Sequence, residues 1–195
     1  ALREDGIAVT TLVRRPPRTL DEVQWWPGER ELDPDVLAGA QAMVALGGAS
    51  VGRLPWTPRY RRALVDSRLV TTRAIATAVR ALRTDAPALV SASAVGYYGS
   101  APGESLTEDS RAGDTFLAKL CVRWEEEARR AGDDSRVALL RTAPIIHRRP
   151  QSARPDGEER VDGTEGADDE GAGSARRRGV MVRNGAERIA RRLEG

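Results

Sequence analysis

Apolar residues recur along this chain in two rhythms. Short β-branched or apolar runs at 7–13, 23–25, 42–46, 88–92 and 136–141 predict strands. From 58 to 82 there is no internal proline or glycine, and Val65, Leu69, Thr72, Ile75, Val79 and Leu82 recur at steps of three and four, which predicts one amphipathic helix. A second helix is predicted over 115–131, with Leu117, Leu120, Cys121, Trp124 and Ala128 on its apolar face and Glu125, Glu126 and Glu127 mostly outside. Punctuation supports these limits. Gly6 ends what reads as the last turn of a helix, and Pro16-Pro17 closes the first strand because prolines carry no ladder donor. Asp33-Pro34 reads as a helix start, Gly47-Gly48 closes the strand before it, 99–114 is a polar loop, and Gly132 stops the second helix. Strands alternating with long helices predict an α/β fold, a parallel sheet covered on both faces.

Past residue 148 the pattern breaks. From 151 to 179 a single large aliphatic residue, Val161, stands among Gly, Asp, Glu, Ser and Arg, too little apolar surface to offset chain entropy. A short helix over 182–193, anchored by Ile189 and Leu193, would be marginal alone. The expectation is an α/β part at 1–147 and a charged, disordered tail at 148–195.

Composition narrows the chemistry. With 31 Lys plus Arg against 29 Asp plus Glu the charge is nearly balanced, so nothing points to nucleic acid. One cysteine, Cys121, excludes an internal disulfide. One histidine, His147, argues against a zinc site or a histidine triad. No apolar stretch is long enough to span a membrane and no signal pattern opens the chain, so a cytoplasmic protein is expected. Cys121 and Trp124 lie on the buried stripe of their helix and read as core.

The segment Ser91-Ala-Ser-Ala-Val-Gly-Tyr-Tyr-Gly99 falls at the carboxyl end of a central strand, where open α/β sheets hold ligands. Taken with Asp66-Ser67-Arg68, Thr71-Thr72, the run from Phe116 to Cys121 followed by Trp124-Glu125, and Leu139-Leu140-Arg141-Thr142, it resembles the NAD(P)-dependent epimerase/dehydratase-like family. These proteins belong to the extended or atypical short-chain dehydrogenase/reductase class, and the closest likeness is to its sugar-nucleotide epimerase subfamily. The likeness covers 1–147, about the N-terminal half of such a protein. It implies an incomplete Rossmann-like, doubly wound parallel sheet, NADP as cofactor, and a small-molecule substrate of sugar-nucleotide or other carbonyl/alcohol type.

The same resemblance distributes roles. Arg14 and Arg15, directly after a strand, correspond to the place where NADP enzymes meet the 2′-phosphate; Leu46, Gly47 and Gly48 lie along the cofactor; Arg68 faces it; Thr142 and Ile145 approach the nicotinamide. Ser93, with Tyr97 or Tyr98, is the candidate catalytic hydroxyl set. Each has a plainer reading: a solvated arginine pair, a turn, a snorkelling Arg68, a serine that satisfies loop backbone, a packed tyrosine pair. The chain also departs from the class. A first strand and glycine-rich turn would precede Ala1, and Phe116 and Leu120 stand where a Tyr-x-x-x-Lys pair is usual, with Lys119 about 100° round the helix. The expectation is therefore an inactive fragment of an epimerase/dehydratase-like oxidoreductase with weak or absent cofactor binding; the alternative is a non-catalytic Rossmann-like binding or interaction module.

Overall fold

The structure is a computed structural model that describes residues 2–144 and 177–183. The turn at 2–6 closes with Gly6 N donating to Arg3 O, at a positive φ of 74° that glycine adopts without strain. Strand β1 (Ala8–Val13) follows, buried along nearly its whole length. β2 (Glu22–Gln24) pairs parallel to it, one residue earlier than the sequence suggested. The helix start at Asp33-Pro34 is real but yields one 3-10 turn, Pro34–Leu37, with Asp33 accepting from Asp35 N.

β3 (Ala42–Ala45) leads to the long helix α1 (Pro58–Ala81), which opens on a Thr57 cap bonded to Tyr60 N and has proline in its first turn. β4 (Ala88–Ala94) runs two residues further than predicted, so Ser93 lies inside the strand. α2 (Phe116–Arg129) starts from a Thr115 cap that accepts from Ala118 N, and β5 (Val137–Thr142) follows. Thr142 is thus the last residue of β5 rather than a residue beyond it. Ile145 and His147 lie outside the described residues.

Both long helices pack against one side of the sheet and against each other. Successive right-handed crossovers from β3 to β4 to β5 move in one direction and so lay their helices on the same side. Leu12, Met43 and Leu89 of the strands meet Ile75, Val79, Ala128 and Ala131 there. Fully burying the leucine, isoleucine, valine and methionine side chains among them contributes about 1.5–3 kcal/mol each. A second cluster joins Leu64 and Leu69 of α1 to Leu120 and Trp124 of α2 nearer the carboxyl edge of the strands. Trp124 Nε1 donates to Thr72 Oγ1 at 2.8 Å, and Cys121 and Trp124 are buried as expected.

The sheet order is β2-β1-β6-β3-β4-β5, and β6 (Arg177–Arg183) corrects the reading of the tail. The segment was expected to belong to a disordered tail spanning 148–195, a short helix over 182–193 being marginal alone. Instead it is a strand lying antiparallel between β1 and β3, with Met181 fully buried in the main core. Val180, Met181 and Val182 give three apolar residues in succession, too short a run to register after the 29 residues at 151–179 with their single large aliphatic, yet enough for a slot closed on both sides. Apart from this strand the sheet is parallel and its order reverses between β1 and β3, which is the α/β, Rossmann-like arrangement.

Candidate functional site

The carboxyl ends of β1, β3, β4 and β5 share one edge of the sheet, and the predicted site residues gather there in two groups. The first stands on β1 and β3. Arg14 follows β1 with its guanidinium 5.3 Å from the Trp26 ring centre, and its Nε is buried with no hydrogen-bond partner among the described residues. Arg15 is committed otherwise: it donates to both carboxylate oxygens of Glu22, at 2.8 and 2.6 Å, and to Pro16 O. These bonds, with one from Arg18 N, lower the Glu22 pKa to about 2, so the pair is a charged staple across the β1–β2 connection.

Arg68 reaches from α1 to the loop after β3. It donates to Leu64 O and Ala49 O, both at 3.1 Å, and its guanidinium lies 5.1 Å from the centre of the Trp124 ring. Gly48 gives the guanidinium its place, because a Cβ at that position would fall 2.9 Å from Arg68 Cζ and displace it. Ser67 Oγ completes the clamp by accepting from Ala49 N at 2.9 Å. Burial lowers the Arg68 pKa, and no carboxylate pairs with it among the described residues. Arg68 therefore turns inward onto the Gly47-Gly48 loop, while Leu46 projects into solvent.

The second group stands on β4, α2 and β5. Ser93 is 3% exposed and donates to Glu125 Oε1 at 2.7 Å. Glu125 is 1% exposed and also accepts from Arg141 Nε and Nη2, at 2.8 and 2.9 Å, and from Arg129 Nη2 at 3.2 Å. Burial raises the carboxyl pKa, but the bonds from Arg141 and Ser93 outweigh it and the net shift is downward. Arg141 stacks over Tyr97 at 3.5 Å from the ring centre, donates to Tyr98 Oη at 3.1 Å, and reaches Glu108 O at 2.9 Å. The two tyrosines meet edge to face, and their turn rests on Gly113, where any Cβ would lie 2.5 Å from Tyr98 O. Beside them Val95, Leu106, Glu108, Leu140 and Thr142 help to line a groove of about 910 Å³.

Sequence reasoning named Ser93, Tyr97 and Tyr98 as the catalytic set and Arg14, Arg15, Leu46, Gly47, Gly48, Arg68, Thr142 and Ile145 as the cofactor set; Thr142 lies with the first of these, and the pair that ties that set together was missed. Glu125 was placed mostly outside, yet it falls four residues after Cys121 and three before Ala128, inside the buried stripe. Arg141 alternates with Val137 and Leu139 on the helix-facing side of β5. Glu127 was misplaced too: it is 6% exposed and bonds Arg73 across the two helices. Of the three acidic residues only Glu126 lies outside.

No protein-family model matches the chain. Over 147 residues it is 37% identical to an epimerase family protein of Mycobacterium bovis, a match that takes in 75% of this chain and 48% of that one. The chain is a relative of the epimerase family proteins. It spans about half the length of the curated relatives it matches. Among solved structures, the nucleoside-diphosphate sugar epimerase of Corynebacterium glutamicum is similar, with 35% identity and a TM-score of 0.57 over 68% of this chain and 27% of that one. So is the human epimerase family protein SDR39U1, solved with NADPH, with 27% identity and a TM-score of 0.59 over 72% and 46%. The epimerase resemblance read from the motifs thus holds.

Proposed function

We propose that this chain carries the NADP(H)-facing edge of an epimerase/dehydratase-like oxidoreductase whose substrate is a sugar nucleotide or a similar carbonyl/alcohol compound. The observation that carries the reading is Arg14: a guanidinium at the end of a strand beside the switch point, with a buried donor left over and no carboxylate to neutralise it among the described residues. A phosphate ester supplies the missing acceptor. Gly47 and Gly48 fit the same ligand, since Arg68 and Ser67 hold their loop in place at the carboxyl end of β3. NADP(H), when bound, supplies or receives hydride. The protein's part is to hold the phosphate-bearing end through Arg14 and to orient the loop through Arg68.

The chemical step is weakly provided for. Phe116 has no exchangeable proton, Leu120 has no charge, and the Ser93 hydroxyl is spent on Glu125 rather than offered to a substrate. Low or absent turnover by the 195-residue chain follows, together with weak cofactor binding. The decisive measurement is a fluorescence titration of the full chain with NADPH and with NADH. A preference for NADPH supports the reading, and equal affinities or tighter NADH binding overturn it. The sequestered Ser93 favours a second reading, a non-catalytic binding module. It gains if NADPH binds but no nucleotide-sugar substrate is turned over even when Ser93→Ala leaves binding unchanged.

A further inference from the structure

The connection from β3 into α1 carries residues for which the cofactor reading has no use. Between Asp35 and Asp66 there is no acidic residue, and the charged residues of that stretch, Arg53, Arg59, Arg61 and Arg62, fall within ten positions. All of them are exposed. The same loop gathers Leu46, Val51 and Leu54, which are 60%, 39% and 74% exposed. Apolar surface left in water and like charges held side by side each cost free energy, and a partner that covers both relieves both.

The loop is held firmly in its shape. Trp56 Nε1 donates to Val51 O at 3.1 Å, Tyr60 Oη to Ser50 O at 2.6 Å and Gly52 N to Ser50 Oγ at 3.3 Å, while Arg68 secures Ala49 O. Two of the guanidiniums are placed as well. Arg53 lies 5.5 Å from the Tyr60 ring centre and Arg61 5.3 Å from that of Phe116, which is 6.0 Å from the Trp56 ring. A guanidinium over a ring face keeps the donors in its own plane available. The carboxylates beside these arginines along the two helices are fewer: Asp66, one turn beyond Arg62, and Asp114, next to the Thr115 cap. A second copy is a poor cover, because a two-fold contact through this patch sets arginine against arginine. A plane of phosphates above an apolar layer satisfies both kinds of residue at once.

We propose that the patch at 46–62 docks on an anionic lipid surface, with Val51 and Leu54 entering the boundary of the acyl layer and the arginines lying among the headgroup phosphates. Trp56 and Tyr60 are of the residue types that settle at that depth. The contact is peripheral, since no helix among the described residues is long and apolar enough to cross a membrane. It brings the carboxyl edge of the sheet to the lipid–water boundary and does not depend on the cofactor reading.

The test is co-sedimentation of the full chain with vesicles of phosphatidylcholine alone and with vesicles that also contain phosphatidylserine, at low and at high salt. Binding to the anionic vesicles that weakens as salt rises is expected, with none to phosphatidylcholine alone. Arg59→Gln/Arg62→Gln is expected to weaken it about fivefold for each arginine removed, and Leu54→Ser about tenfold. Arg80→Gln/Arg136→Gln, a charge-matched pair near the opposite edge, is expected to leave it unchanged. No binding to either vesicle, equal binding to both, or an equal loss in the control pair overturns the proposal. Loss in the Arg59/Arg62 pair with Leu54→Ser unaffected makes the patch a general polyanion surface and overturns it too. So does a dimer that depends on Leu54 in sedimentation without vesicles. Should a variant fail to fold, the unchanged chain decides: binding to the anionic vesicles that is flat in salt overturns the proposal.

Discussion

Two arginines illustrate how far a residue's role depends on its partner. Arg14 and Arg15 are adjacent in sequence and were both assigned to the 2′-phosphate, yet Arg15 is neutralised by Glu22 whereas Arg14 has no carboxylate partner among the described residues. Arg14→Ala is expected to cost about tenfold to a hundredfold in NADPH affinity, the worth of a charge-assisted bond to phosphate, and little in NADH affinity. Parallel titrations check it, and equal losses would assign Arg14 a structural role. Glu125 is the counterpart in the other group. Replacing it by Ala strands Arg141, whose side chain is only 15% exposed, and leaves Ser93 without its acceptor. Breaking a buried pair in this way costs roughly 3–5 kcal/mol. Urea unfolding of Glu125→Ala should show a loss of that order, with Glu126→Ala, an exposed neighbour, nearly unchanged. The sequence could not separate these three glutamates by composition. Only the helical phase does, and the pull of an acidic run toward solvent overrode it.

At the scale of elements, the stripe of α1, the stop of α2 before Gly132 and the succession of β1 to β5 along the chain were legible because each rests on local periodicity and end chemistry. β6 was not, because its support is non-local: Val180 to Val182 become a strand only between two edges already present. Met181 decides whether that support is real. Met→Ala at a fully buried site costs about 2–5 kcal/mol, so Met181→Ala should lower the urea midpoint clearly, and amides at 177–183 should exchange slowly. A disordered tail predicts no change in the midpoint and complete exchange within seconds. Either result is read on the same sample.

For the molecule as a whole, acid sensitivity follows from the carboxylates that bind arginine. Glu22, Glu125 and Glu127 all have pKa values lowered by folding, so they bind fewer protons folded than unfolded. Their contribution is complete above the ordinary value of 4.5 and is lost as pH falls through the folded value, about 2 for Glu22. Stability should therefore decline from about pH 4.5 downward, and Glu125→Gln should flatten that decline when urea midpoints are followed against pH.

The placement of β6 also sets the order in which the fold can be finished. Ala8 of β1 is paired with Arg183, 175 positions later, so the sheet's central strand is delivered after every other described strand. Until then β1 and β3 each present an open edge with unpaired backbone donors and acceptors, the kind of surface that recruits other chains. Contacts of such separation carry a large loop-closure cost and slow folding. Refolding from urea should accordingly be slow and its yield should fall with protein concentration. A ribosome-bound chain stopped short of residue 177 should be open to proteases at β1 and β3, whereas one released past 183 should not.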